Sequence, residues 1–255
     1  MKWRIGLLAL MACCAPLQGQ APEQKAGATG DQPVAMKDEP HHHLLWENPY
    51  VRLYRIEIPA NTRSLLHKHE FPYISISQGA NEYTSVVAGQ PDIHKKRVDG
   101  EAGYSNGGVV HFIRTDAGLP FNMLDVDLLQ PQGTARNLCD KVISQDFGLC
   151  DLSKADQSEG ISVTPSFETD AVRVERLQIK RGETHDEIHE HPGLLIMVGG
   201  STVAVSRIPG VMTQFMKPGD TVWIPRGGQP KFTIEDGADA QLLLLTFKGN
   251  EPSQK

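Results

Sequence analysis

His67 and His69 stand two residues apart in Leu65-Leu66-His67-Lys68-His69, and His111 follows a glycine pair in Gly107-Gly108-Val109-Val110-His111. In an extended strand, side chains at i and i+2 share a face, about 7 Å apart by strand rise. Two imidazoles so placed can reach one metal ion, and a histidine on a neighbouring strand can supply a third nitrogen. Such a site suits one divalent transition metal, whether iron, zinc, manganese or nickel, with positions left open for water or substrate. Zinc held by three histidines generates a nucleophilic hydroxide. Tyr73, four residues past His69 and of the same parity, is the candidate catalytic side chain, as a substrate contact or a hydrogen-bond partner of the site. The bland alternative is three packed core histidines without metal.

Other motifs carry less. His41-His42-His43 reads as a polar lead-in to the first strand, because neighbours on an extended chain point to opposite faces. Gly103-Tyr104-Ser105-Asn106-Gly107 fits the G-x-S-x-G nucleophile elbow, but an elbow joins a strand to a helix, and here the continuation is strand-like. No P-loop or dinucleotide fingerprint occurs.

The elements that must position these histidines are short alternating runs. Val51 to Ile58, Tyr73 to Ser77 and Tyr83 to Val87 are punctuated by Gly, Pro or Asn, with no long 3.6-residue period. This pattern predicts an all-β sandwich or barrel. The second half repeats the first: Val172 to Ile179 aligns with Val51 to Ile58, and Ile188-His189-Glu190-His191 with Leu66-His67-Lys68-His69. Gly227 to Phe232 aligns with Gly107 to Phe112, which implies an internal duplication. On this alignment Lys231 replaces His111, so His189, His191 and Lys231 form a degenerate second site, since an ammonium is no usual metal ligand.

H-x-H followed by G-x-x-H at Gly108-Val109-Val110-His111 resembles the two short motifs of the cupin superfamily. Lys217-Pro218-Gly219-Asp220 is similar to the cupin turn before the second motif. The resemblance implies two tandem jelly-roll β-barrels, a bicupin, over roughly residues 41 to 250. It implies a metal inside the first barrel and chemistry such as iron-dependent dioxygenation or isomerisation of a small molecule. Many cupins add a glutamate after the second histidine, where this chain has Tyr73 and Ile74. The alternative is a non-enzymatic ligand-binding or structural cupin, so whether the chain is an enzyme stays open. Cupins commonly pair through barrel edges, which admits a homodimer.

Length and charge set the frame. The 255 residues, 39% hydrophobic, suffice for two small cores. A formal charge of −6 argues against a nucleic-acid or anionic-membrane partner, and the small-molecule ligand or substrate follows from the cupin resemblance. No apolar run reaches the ~18 residues of a membrane span. Lys2 and Arg4, the apolar stretch from Ile5, and small residues to Gly19 have the order of an export signal, with a periplasmic or secreted product. Leu10-Met11-Ala12-Cys13 offers the rival reading of a lipoprotein anchored at Cys13. Cys139 and Cys150 then form the remaining pair, expected as a disulfide in an exported protein, with two unpaired thiols as the alternative. The expected organisation is a signal at 1–19, a flexible tether at 20–40, barrel 1 at 41–130, a linker at 131–160 and barrel 2 at 161–250.

Overall fold

The computed structural model describes residues 32–138, 156–158, 160–182, 184–186, 189–210, 212–234 and 237–249. The expected export signal, Cys13, Cys139 and Cys150 lie outside the described residues. Among the described residues the regular structure is strand, apart from a 3-10 turn at Met36–Asp38. None of their helices is long and apolar enough to cross a membrane.

The amino-terminal half forms two five-stranded sheets. One runs His42–Glu47, Val51–Ile58, Phe121–Leu128, Tyr73–Ser77, Ala102–Ser105. The other runs Val34–Ala35, His67–Lys68, Val110–Arg114, Asn81–Val87, Ile93–Arg97. The carboxyl-terminal half repeats both orders. Ile161–Glu168, Val172–Ile179, Ala240–Phe247, Gly193–Gly199 and Thr221–Ile224 follow the first, and Thr184–Asp186, Lys231–Thr233, Val203–Ser206 and Gln214–Met216 follow the second. The protein is two tandem jelly-roll barrels, as the duplicated sequence predicts.

Alternation along each strand explains the layers. On Val51–Ile58, Val51 and Leu53 join a core shared with Val174, Ile196 and Leu245 of the second barrel, while Ile56 and Ile58 turn into the first barrel beside Tyr83, Phe121 and Met123. Both faces of the strand are therefore covered, and each such side chain contributes roughly 1.5–3 kcal/mol by burial.

Residues 34–39, expected within a flexible tether, are part of the barrel. Val34–Ala35 pairs in parallel with His67–Lys68, Met36 is buried, and Glu39 is 1% exposed. The segment has little apolar surface to order it, but its backbone completes the edge beside His67, and the Glu39 carboxylate finds three donors there.

The ladders also correct the alignment of the two copies. The backbone of His69 bonds Gly108 N–H and Val109 C=O, and the backbone of His189 bonds Gly227 N–H and Gly228 C=O in the same way. His189 is therefore the counterpart of His69, not of His67, and buried Pro230 stands where His111 does. Lys231 is half-buried next to the fully buried Phe232, so alternation turns it away from the barrel interior. The position matching His67 falls on residue 187, outside the described residues. Motif matching slipped by two residues because His191 mimics the H-x-H spacing, while hydrogen-bond register admits one solution.

Candidate metal centre

His67, on the short strand His67–Lys68, and His69, just past it, share the buried side of that segment, and His111 reaches them from the adjacent strand, where its Cα is the direct partner of His67. Their ring centroids are 4.7 to 5.1 Å apart. Nε2 of His69 and Nε2 of His111 approach to 3.1 Å. The three histidines singled out from spacing thus meet in the barrel interior, all buried.

A fourth imidazole joins them. His42, read from sequence as lead-in, is 5% exposed, and its ring lies 4.5 Å from that of His67. His42, His67 and His69 each offer a nitrogen within 4.8 Å of the others. The alternation argument holds for its neighbours, since His43 is exposed and His41 only half-buried. What it missed was that the middle histidine of three must then point inward, and that Glu39, three residues earlier, could fix it.

Three of the four rings are held from their far side. Nδ1 of His42 donates to the Glu39 carboxylate, and Nδ1 of His67 donates to the Leu65 carbonyl at 2.9 Å. His111 Nδ1 shares a 2.9 Å hydrogen bond with the Ser85 hydroxyl. A carbonyl and a carboxylate can only accept, so the proton sits on Nδ1 and the lone pair on Nε2. His67 Nε2 is buried without a hydrogen-bond partner. His69 Nδ1 stands 3.9 Å from Asp125 Oδ2, too long for a hydrogen bond.

Electrostatics favours neutral rings. Burial, then the neighbouring His42, pulls His67 down to about 4. Burial and His67 pull His111 down to about 3, and burial with His111 lowers His69 well below the usual histidine range. Burial alone would raise Glu39, but hydrogen bonds from His42 and the Leu65 and His41 amides hold it down at about 2. Asp125, 3% exposed, is pushed up to about 8 by burial and by Asp127, with Arg97 working against both. His67, His69 and His111 are therefore neutral imidazoles clustered in the barrel interior, a donor set that fits a divalent transition metal.

The histidines form one wall of a cavity of about 240 Å³. Tyr73 lines it, stacked on His69 with centroids 4.2 Å apart, and its hydroxyl bonds Ser105. Burial raises the Tyr73 hydroxyl above its ordinary range, so it stays protonated and can donate. Glu70 is exposed, as its parity implied.

The second barrel has the same backbone and a different filling. Ser75 and Asp125 pair across the first barrel's ladder, and Leu195 and Leu244 occupy the equivalent pair in the second. Gly193 takes the place of Tyr73. Leu177, Met197, Val205, Met216 and Phe232 are buried together there, so apolar side chains fill the space that the polar cavity occupies in the first barrel. His189 is buried, and His191 is half-buried with no hydrogen-bond partner on Nδ1.

Comparison with known proteins agrees with this architecture. AerE from Microcystis aeruginosa matches with TM-score 0.56 at 13% identity, over 83% of this chain and 99% of its own. Salicylate 1,2-dioxygenase from Pseudaminobacter salicylatoxidans matches with TM-score 0.55 at 13% identity, over 80% and 75% respectively. A cupin 2 conserved barrel domain protein from Leptotrichia buccalis matches with TM-score 0.53 at 10% identity, over 81% and 88%. No family model and no curated protein matches the sequence. The chain has the cupin fold in its two-barrel form, with a buried histidine cluster in the amino-terminal barrel.

Proposed function

We propose that the amino-terminal barrel holds one divalent transition metal through Nε2 of His42, His67, His69 and His111, and that the protein is a metal-dependent enzyme of the dioxygenase type acting on a small molecule. The observation that carries this reading is the orientation of the imidazoles. Obligate acceptors, Glu39 and Leu65 C=O, hold Nδ1–H of His42 and His67, and Ser85 engages Nδ1 of His111, which leaves Nε2 for the ion. A histidine packed only for stability has no reason to bury its Nε2 without a partner, because an unmatched buried polar atom costs about 1–3 kcal/mol.

When bound, such a metal supplies Lewis acidity and, if iron or manganese, a redox centre. The chain's own residues do the rest. His67, His69 and His111 arrive neutral, so no proton need leave those rings for a ligand bond to form at neutral pH. Tyr73, fixed by its stack on His69 and its bond to Ser105, presents a protonated hydroxyl to a bound molecule. The apolar residues of the cavity wall, Ile113, Phe121 and Met123, exclude water. The structural likeness to salicylate 1,2-dioxygenase supports the reaction class.

Elemental analysis of purified full-length protein tests the reading, beside His69→Ala and His111→Ala. About one metal per chain, lost in both variants, is expected. No metal even after anaerobic reconstitution would overturn it and leave a ligand-binding barrel.

A further inference from the structure

We infer that the cavity beside the histidines carries a carboxylate-binding subsite formed by Arg97, Lys95 and Ser75, so that the ligand is a small carboxylic acid with an apolar body. This deepens the reading above by naming the substrate class of the same cavity.

The strand Ile93–Arg97 places Lys95 and Arg97 on one face by i, i+2 alternation, and both line the cavity. Arg97 is only 6% exposed, which is unusual for arginine, and Nη1 donates to the Ser75 hydroxyl at 3.0 Å. The opposite strand makes room for it. A Cβ added at Gly103 would fall 2.7 Å from Arg97 Nη2, so the absence of a side chain there lets the guanidinium lie in the wall. The fork is thereby oriented toward the cavity that Tyr73, Ser105 and the histidines also line.

The charge balance selects an anion. Among the described lining residues Asp125 is the sole carboxylate against Lys95 and Arg97, an excess of at least one positive charge. Arg97 and Lys95 also engage other groups of the chain, so an entering carboxylate adds to those contacts or exchanges with them. A planar guanidinium fork matches a carboxylate through two parallel N–H···O bonds. The remaining wall is aromatic and aliphatic, with Tyr83, Phe121, Met123 and Ile113, which suits an apolar body rather than a second charge. In the second barrel the ladders put Met216, fully buried, at the position of Lys95, so the subsite disappears where the histidines do.

The test is titration calorimetry of full-length protein, metal-loaded and metal-stripped, with benzoate and with its neutral isostere benzamide. Benzoate is expected to bind at least about tenfold tighter than benzamide, and Arg97→Gln to weaken benzoate by about tenfold while leaving benzamide unchanged. Gly103→Ala keeps both cations but pushes the guanidinium aside, and is expected to weaken benzoate too, with an unaltered circular dichroism spectrum. Equal binding of the two probes, no benzoate binding up to about 10 mM, or indifference of benzoate to both variants would overturn the subsite. Metal content measured on the same samples separates the two readings. Carboxylate-selective binding by a protein that takes up no metal sinks the metal centre alone, and metal without carboxylate selectivity sinks the subsite alone.

Discussion

Nε2 of His69 lies 3.1 Å from Nε2 of His111 in the buried interior of the barrel. Two ring nitrogens at that distance share either a proton or an ion. With His111 Nδ1 engaged by Ser85, the second arrangement uses the lone pairs of both rings.

If the ion is shared by four rings, His42→Ala lowers metal affinity by at least about tenfold. His43→Ala, one residue along and exposed, leaves it unchanged. Competition with a chromophoric chelator measures both. Equal affinity in wild type and His42→Ala would reduce the centre to the three histidines legible in the sequence.

On the proposed metal centre Glu39 would act through His42. Glu39→Gln keeps the shape but removes the charge that fixes Nδ1–H, and weakens metal binding by about 10- to 100-fold. Because Glu39 also accepts from the Leu65 and His41 amides, Glu39→Ala additionally lowers the melting temperature of the metal-free protein. Affinity unmoved by Glu39→Gln would assign the residue to folding alone.

The metal-free protein has a definite pH response. Burial, together with the Asp127 charge, pushes Asp125 up to about 8, and burial, with Arg52 working against it, pushes Asp127 up to about 7. From their ordinary range near 4 up to those values the folded state holds protons that the unfolded chain has released, so stability falls as pH rises. His67 at about 4 and His111 at about 3 act oppositely: between those values and about 6.5 the unfolded chain binds more protons, so stability rises with pH. The two effects oppose each other up to about 6.5, and above it the aspartates act alone. The melting temperature of the stripped protein therefore drops by several degrees from pH 6.5 to 8, and Asp125→Asn flattens most of that drop. Parallel slopes for wild type and variant would refute the assignment.

The two barrels are locked by a buried guanidinium. Arg176 of the second barrel, 3% exposed, donates to Gly100 C=O of the first at 2.6 Å and to Gln241 Oε1 at 3.3 Å. Gly100 turns the chain from the strand bearing Lys95 and Arg97 into the one bearing Gly103, with φ +70° and Val198 3.1 Å from where its Cβ would be. Arg176→Met is expected to cost about 1–3 kcal/mol in urea unfolding and Gly100→Ala at least about 1. A change below about 0.5 kcal/mol in Arg176→Met would show the latch to be dispensable.

The sequence by itself determined the all-β class, the duplication and the three histidines His67, His69 and His111, because period-two alternation and i, i+2 spacing are local properties of an extended chain. It also yielded Tyr73 on the inward face, as the stack on His69 requires. Only the tertiary structure decided the rest. His42 and Glu39 enter the site because the chain before the first long strand lies along the edge beside His67, a parallel pairing between residues more than thirty apart that no local pattern encodes. His189 rather than His191 matches His69 because hydrogen-bond register, not motif spacing, fixes equivalence between strands. Arg97 ends the basic run His94-Lys95-Lys96-Arg97, whose composition alone gives no reason to bury it, and it is a buried part of the cavity wall because which face of an edge strand is covered depends on the sheet folded over it.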